Sequence, residues 1–338
     1  MMRLPWFDYR APRSVAEASK ILAGEGPGAM LIAGGTDLLP NMKRRHQTPK
    51  VLVSVKGIEA LRKISNGSGL NLGAGLTLTE VTRNESVKEK FTALYQAAAQ
   101  VATAHLRNMG TIGGNLCLDT RCTYYNQNYE WRKAIDFCLK KDGETCWVAT
   151  ASKRCVAVSS TDSAPALIAL NASVVLEGQG GERVIPVEAL YRNDGIDYLS
   201  RKPDEILTKV SIPGGWKSTY WKLRRRGSFD FPILGVAAAV RFSQENVIEE
   251  ARIALGAVAS RPFLLDKASA YLKGKKLTDD VIAEASAMIA SRAKPMDNTD
   301  MDLYWRKEVA DDFAGYALRE LRGDDMRATR FRIARQAL

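Results

Sequence analysis

Two short glycine loops, each following a regular segment, constrain this chain more than any other feature. Residues 29–33 are apolar and stop at Gly34-Gly35-Thr36-Asp37; a second loop, Gly110-Thr111-Ile112-Gly113-Gly114-Asn115, follows an alanine-rich, helix-like stretch. Paired glycines let backbone N–H groups approach an anion with no Cβ in the way, and Thr36 adds a hydroxyl donor. Two such loops can grip a pyrophosphate from both sides, although each alone is equally an ordinary turn. Neither loop is a G-x-G-x-x-G fingerprint, and no G-x-x-x-x-G-K-[ST] occurs. A nicotinamide Rossmann domain and a P-loop NTPase are therefore both disfavoured.

Just beyond the second loop lies a polar, turn-rich stretch holding Cys122, Cys138, Cys146 and Cys155; Cys117 is the fifth and last cysteine. An odd, clustered set points to metal or redox chemistry rather than to a disulfide framework. The spacing is Cys122-x15-Cys138-x7-Cys146-x8-Cys155, with no C-x2-C-x2-C run, so each thiol comes from its own turn. Four thiolates suit an iron–sulfur cubane. They also suit zinc, although the close C-x2-4-C pair common in structural zinc sites is absent. Spacing leaves these readings and a pair of disulfides open. Cys117, inside Asn115-Leu116-Cys117-Leu118, reads as a buried small hydrophobe outside the set. Tyr124, Tyr125, Tyr129, Trp131 and Trp147 either shield a metal centre or form a small satellite core.

A length of 338 residues with 46% hydrophobic content supports two or three domains with full cores. The N-terminus has no apolar signal region and no apolar run is long enough to span a bilayer, so the expectation is a cytoplasmic protein with no membrane contact. The formal charge is +11, but the basic runs lack interleaved aromatics, so nucleic acid is not an expected partner. Only two histidines, His46 and His105, argue against a hydrolase triad and a histidine-rich metal site.

Periodicity gives an α+β chain. Ser14 caps a helix over 15–23; strands fall at 29–33, 51–55, 70–74 and 76–78; a long helix covers 91–105. The cysteine stretch has no clean period, and regular structure resumes at 155–159, 164–170, 173–177 and 206–212. Pro213-Gly214-Gly215 is the best domain boundary. Beyond it, 219–223, 236–242 and 251–258 alternate as antiparallel strands, followed by helices at 262–272, 279–291 and 301–321, the last ending at Gly323.

Taken in order, Ala33-Gly34-Gly35-Thr36-Asp37-Leu38 and Thr111-Ile112-Gly113-Gly114-Asn115 resemble the two FAD-pyrophosphate loops of the flavin subunits of molybdenum hydroxylases, the xanthine dehydrogenase family. The resemblance continues through Ser160-Thr161-Asp162-Ser163-Ala164-Pro165-Ala166-Leu167, Glu205-Ile206-Leu207 and Tyr220-Trp221-Lys222-Leu223-Arg224-Arg225-Arg226. It implies a vanillyl-alcohol-oxidase-like two-lobed FAD-binding fold, with lobe 1 at 1–56 and lobe 2 at 57–215. A C-terminal α+β domain of antiparallel strands and helices at 216–338 completes it. It further implies that Leu31, Ile32, Ala33, Gly34, Gly35, Thr36, Asp37 and Leu38, with Thr111, Ile112, Gly113, Gly114 and Asn115, hold the pyrophosphate. Asp162 would bond ribityl or ribose hydroxyls, Leu207 would line the adenine or flavin pocket, and Lys222 would lie near the polar edge of the isoalloxazine. Val101 falls where some members place an aromatic against the cofactor. No catalytic residue is implied in this chain.

The family usually joins its second glycine loop to the Asp162 position by a short turn. Here the excess, about 119–158, holds all four clustered cysteines and resembles the insertion in the β subunits of 4-hydroxybenzoyl-CoA reductases. That implies a [4Fe–4S] cluster on Cys122, Cys138, Cys146 and Cys155. It also implies electrons arriving from ferredoxin and partner subunits that hold molybdopterin (large) and [2Fe–2S] clusters (small). The assembly would be a dimer of heterotrimers removing the phenolic hydroxyl of 4-hydroxybenzoyl-CoA. The alternatives are a flavin subunit of an enzyme oxidising a heterocycle, an aldehyde or carbon monoxide, with a structural or zinc-binding insertion, and a non-enzymatic nucleotide-binding or assembly protein.

Overall fold

The first segment builds a small parallel layer. β1 (Asp8–Arg10), β2 (Ala29–Ile32) and β3 (Val51–Ser54) pair in the order β1-β3-β2, both pairings parallel. The crossover helix α1 (Val15–Glu25) starts where the Ser14 hydroxyl accepts the Glu17 N–H, one of the orphan donors of a first turn. Its Val15, Ala18 and Leu22 pack on Val51 and Val53. A short helix, α2 (Leu38–Lys43), leaves the end of β2. The computed structural model describes residues 3–334.

The middle segment is a five-stranded antiparallel sheet. β4 (Ile64–Asn66), β5 (Gly69–Gly73), β6 (Ser173–Gly178), β7 (Gly181–Pro186) and β8 (Ile206–Pro213) lie in the order β4-β5-β8-β6-β7. Between β5 and β6 the chain makes a long excursion through α3 (Leu78–Arg83), α4 (Glu85–Lys90), α5 (Thr92–Ala99), α6 (Ala104–Arg107), α7 (Ile112–Leu116), α8 (Tyr129–Ala134) and α9 (Ser163–Ala169). Leu72, Leu94, Ile112, Leu167 and Val210 sit at the centre of its core.

The last segment is an antiparallel sheet, β9 (Lys217–Leu223), β10 (Leu234–Phe242), β11 (Ile248–Gly256) and β12 (Phe263–Leu264), in the order β12-β11-β10-β9. Helices α10 (Asp266–Leu272), α11 (Asp279–Arg292), α12 (Leu303–Arg322) and α13 (Arg327–Ala334) follow. Strand β10 is buried on both faces and divides its side chains by the pleat. Ala237 and Ala239 join the middle core, and Val236, Ala238 and Val240 join the core under α11 and α12. Small side chains on the inner face let α5 and α9 pack closely against this sheet. Helix α12 stops at Gly323, in the left-handed region at φ 117°. No helix among the described residues is long and apolar enough to cross a membrane.

Four local expectations change, the first at 155–159, where no strand forms and Val158 makes only an isolated bridge to Arg121. Residues 76–78 are not a strand, because Thr77 and Glu80 form a reciprocal capping box that starts α3. The long helix over 91–105 breaks after Ala99, where Ala102 has φ 44° and Thr103 caps a separate turn. At the break the Gln100 carbonyl accepts from Lys222 Nζ at 3.0 Å, a partner supplied by the C-terminal sheet. Finally, Phe263 and Leu264 pair with β11, so the helix expected from residue 262 begins at Asp266.

Candidate functional site

A cavity of about 340 Å³ opens between the first two segments, under the edge of the third. Both glycine loops line it, but they are built differently. In the first, the N–H groups of Gly34, Gly35, Thr36 and Asp37 meet no acceptor among the described residues. Four donors on one turn, with Gly35 at φ 70°, make an anion cradle. In the second, Thr111 caps α7 and its hydroxyl accepts the Gly114 N–H at 3.0 Å. The Ile112, Gly113 and Asn115 N–H groups donate to Leu76, Ala74 and Thr111 carbonyls. The second loop is therefore a fixed wall, its amides from Ile112 to Asn115 already used. Gly34 serves a further purpose: a Cβ there would lie 2.0 Å from the Met109 carbonyl oxygen, so only glycine lets the loops touch.

Leu31, Ile32, Ala33, Leu38, Val101, Asn115, Asp162 and Leu207 also line the cavity. Ile112 and Lys222 do not. Ile112 is wholly buried in the middle core. Lys222 Nζ lies behind the wall, donating to Asp162 Oδ2 at 2.9 Å and to the carbonyls of Gln100 (3.0 Å) and Asp230 (2.9 Å). The other Asp162 oxygen accepts from the Tyr220 hydroxyl at 2.8 Å. Burial pushes the Asp162 carboxyl above its ordinary range and Lys222 below its own, and each is the largest influence holding the other in its charged form.

The four clustered cysteines come together. Cys122, Cys138, Cys146 and Cys155 are all buried, and all line one small second cavity with Tyr125, Lys140, Trp147 and Ala157. Each sits on its own turn: the carbonyls of Cys122, Cys138 and Cys146 accept from Asn126, Lys141 and Ala149, and the Ala157 N–H points at Cys155 Sγ at 3.4 Å. Phe137 and Asp142, on either side of Cys138, hold left-handed backbone. Burial pushes the Cys122 thiol up to about 11 and that of Cys155 up to about 12. None of the four is in a disulfide. Among the described residues, no group of three or more His, Cys, Asp or Glu side chains is arranged to hold a metal ion. Cys117 stands apart, on the wall of the first cavity.

Polar residues that the sequence reading passed over tie the insertion to the first lobe and to the C-terminal segment. Arg121 is ion-paired with Asp37 of the first loop and donates to Asn41 Oδ1 at 2.9 Å. Asn298 Nδ2 donates to the Val156 carbonyl at 2.6 Å, fastening the insertion to the C-terminal segment. These partners are far apart in sequence, and no local pattern marks them.

His46 supplies a further latch. Its Nε2 lies 3.1 Å from the Gln127 carbonyl, so that nitrogen carries the proton, and its ring packs 4.3 Å from that of Tyr125. Burial brings its pKa down from 6.5 to about 4. The unfolded chain takes up a proton near 6.5 and the folded chain only near 4. Stability from this contact is therefore complete above the higher value and is lost as pH falls through that window. We expect Trp131 and Trp147 fluorescence to report loosening of the insertion across it. In His46→Asn that pH dependence should flatten, and an unchanged slope would refute the assignment.

With this geometry in place, the relatives are informative. Residues 5–215 match the family described as the FAD binding domain in molybdopterin dehydrogenase, and residues 218–321 match the CO dehydrogenase flavoprotein C-terminal domain. The chain belongs to the FAD-binding subunits of the molybdenum hydroxylase family. This flavin subunit is 32% identical to the aldehyde oxidoreductase FAD-binding subunit PaoB of Escherichia coli K12, over 79% of this chain and 86% of that one. It is 27% identical to the carbon monoxide dehydrogenase medium chain of Hydrogenophaga pseudoflava, over 93% and 96%. A solved carbon monoxide dehydrogenase structure from that organism superposes with a TM-score of 0.76 at 26% identity, covering 94% of this chain and 98% of that one. The flavin subunit's first cavity fits FAD on its own chemistry: a cluster of unused amides for the pyrophosphate, and apolar walls at Leu31, Val101 and Leu207.

Proposed function

We propose that this subunit is an electron relay. It holds FAD between its lobes and a [4Fe–4S] cluster on Cys122, Cys138, Cys146 and Cys155, within a complex that reductively dehydroxylates 4-hydroxybenzoyl-CoA to benzoyl-CoA. The observation that carries the reading is the convergence of four thiols, from four separate turns, on one buried cavity beside the FAD site. A zinc ion would draw its sulfurs to about 2.3 Å from a single point; that no described set of three or more such ligands is arranged for an ion favours neither metal. A cubane is a larger body whose thiolates stand around it, which suits a cavity between the cysteines. The Cys122 and Cys155 thiols, raised by burial, are drawn to ionise by adjacent positive charge, which iron would supply.

Bound FAD exchanges electrons singly with iron–sulfur centres and in pairs with two-electron donors, the chemistry a junction needs. The chain's own residues do the holding. The Gly34–Asp37 amides bind the pyrophosphate, the Thr111–Asn115 wall fixes its position, and Lys222 keeps Asp162 ionised beside the cofactor. In this reading partner subunits carry the molybdopterin and [2Fe–2S] groups, ferredoxin delivers electrons, and the complex is a dimer of heterotrimers. The isolated chain given an artificial reductant should leave 4-hydroxybenzoyl-CoA unchanged, whereas the whole complex converts it. Dehydroxylation by the chain alone would refute the division of labour.

The names of the relatives favour a second reading, a flavin subunit serving oxidation of an aldehyde or carbon monoxide, with a structural or zinc-binding insertion. Metal and sulfide analysis separates the two. Iron and acid-labile sulfide at about four per chain support the cubane; zinc at about one per chain supports the alternative.

A further inference from the structure

We propose that Lys140 and Asp119 form a fixed charge pair between the two cofactor sites, with the Lys140 cation biasing the cysteine centre towards its reduced state. The inference rests on the proposed cluster. Lys140 lines the cysteine cavity and Asp119 lines the FAD cavity. Their side chains are 7% and 5% exposed, and Nζ lies 2.8 Å from Asp119 Oδ1. The other two ammonium protons are also placed, on Thr120 Oγ1 at 2.8 Å and on the Gly195 carbonyl at 2.6 Å. Nζ further lies 4.7 Å from the centre of the Tyr125 ring and 5.4 Å from that of Tyr198. The second Asp119 oxygen accepts from the Tyr125 hydroxyl at 2.8 Å and from Gln47 Nε2 at 3.5 Å.

This frame is rigid and close to the thiols. Gly195, which accepts from Lys140, packs so tightly on Cys155 that a Cβ there would stand 2.6 Å from Sγ. The order of charges is therefore set: positive towards the cysteines, negative towards FAD. An electron added to the cysteine centre adds negative charge, which a nearby fixed cation stabilises in a medium of low polarisability. The carboxylate opposes an electron added on the flavin side. Because the ammonium has all three protons bonded, it cannot swing away when the charge changes. A pair that served only as a latch between insertion and lobe would hold the chain together without moving a potential.

The test is a redox titration of the FAD- and iron-loaded complex, following the cluster by EPR and the flavin by absorbance. For Lys140→Met, the reduced-to-oxidised ratio of the cysteine centre at a fixed potential should fall by about tenfold, or about 59 mV for one electron. Lys140→Arg should keep the parent value. Asp119→Asn should raise the ratio at both centres. Lys140→Met with full iron and an unchanged ratio would overturn the proposal and leave a latch. If Lys140→Met loses its iron, Asp119→Asn decides, and an unmoved ratio there overturns it equally. Iron analysis of the parent precedes the titration, so a parent without iron marks failure of the cluster reading rather than of this one.

Discussion

If Cys122, Cys138, Cys146 and Cys155 hold the proposed cluster, serine in place of Cys138 should strip the iron from this subunit and leave its flavin bound. The same outcome is expected for Cys122, Cys146 and Cys155. Serine matches cysteine closely in shape but offers a hydroxyl that is not a thiolate ligand at neutral pH, so three thiolates remain for a centre that takes four. Iron should fall from about four per chain to below about one. Flavin should stay, because none of the four lines the first cavity. Cys117→Ser is the control with the opposite geometry: it lines the FAD cavity and should keep its iron. The structural consequence is local. The buried members of the insertion's apolar cluster are Cys122, Tyr125, Cys138, Cys155 and Ala157, so three of the four proposed ligands make up most of its core. A core that small needs a staple, and hydrogen-exchange protection should collapse across residues 119–158 while the sheets keep theirs. Iron retained in Cys122→Ser and lost in Cys117→Ser would show that the ligand set is misassigned.

The elements that could be read from sequence are those whose cause is local. The alternation at 219–223, 236–242 and 251–258 became three neighbouring antiparallel strands, Ser14 caps its helix, and Gly323 ends α12. Where the cause is distant, the reading failed or fell short. Leu76-Thr77-Leu78 alternates like a strand, yet the Thr77–Glu80 capping box outweighs that short pattern. Near Gln100 only Thr103, the cap of the following turn, hints at a helix break, because the group that takes the Gln100 carbonyl is the distant Lys222. The two glycine loops look alike on paper, and what distinguishes them is that the carbonyls of Ala74, Leu76 and Thr111 and the Thr111 hydroxyl consume the amides of the second. The cysteine spacing matches no compact motif for the same reason. The thiols meet because four turns fold back on one another, held from outside by Asn41 (through Arg121), His46 and Asn298.

Lys222→Met should destabilise the subunit by about 3–5 kcal/mol, the usual cost of removing one partner from a buried ion pair. Methionine nearly fills the volume, so packing contributes little to the loss. What remains is a carboxylate only 3% exposed, with the Tyr220 hydroxyl as its surviving side-chain donor. The carbonyls of Gln100 and Asp230 lose their shared donor as well. The pH dependence has a definite sign. Burial already raises the Asp162 carboxyl, and removing the cation that opposes this raises it further. A group whose folded-state pKa lies above its unfolded value gains stability as pH falls, since the folded form then binds the extra proton. The deficit of Lys222→Met relative to the parent should therefore shrink on acidification, with the His46 effect common to both chains and cancelling. The double variant Asp162→Asn, Lys222→Met removes both charges and should recover a large part of the loss. Urea midpoints at neutral pH and near the ordinary carboxylate range would measure all three. A deficit that stays constant with pH, or a double variant no better than the single, would mean that Lys222 contributes through packing and its carbonyl bonds rather than by holding Asp162 ionised at the cavity wall.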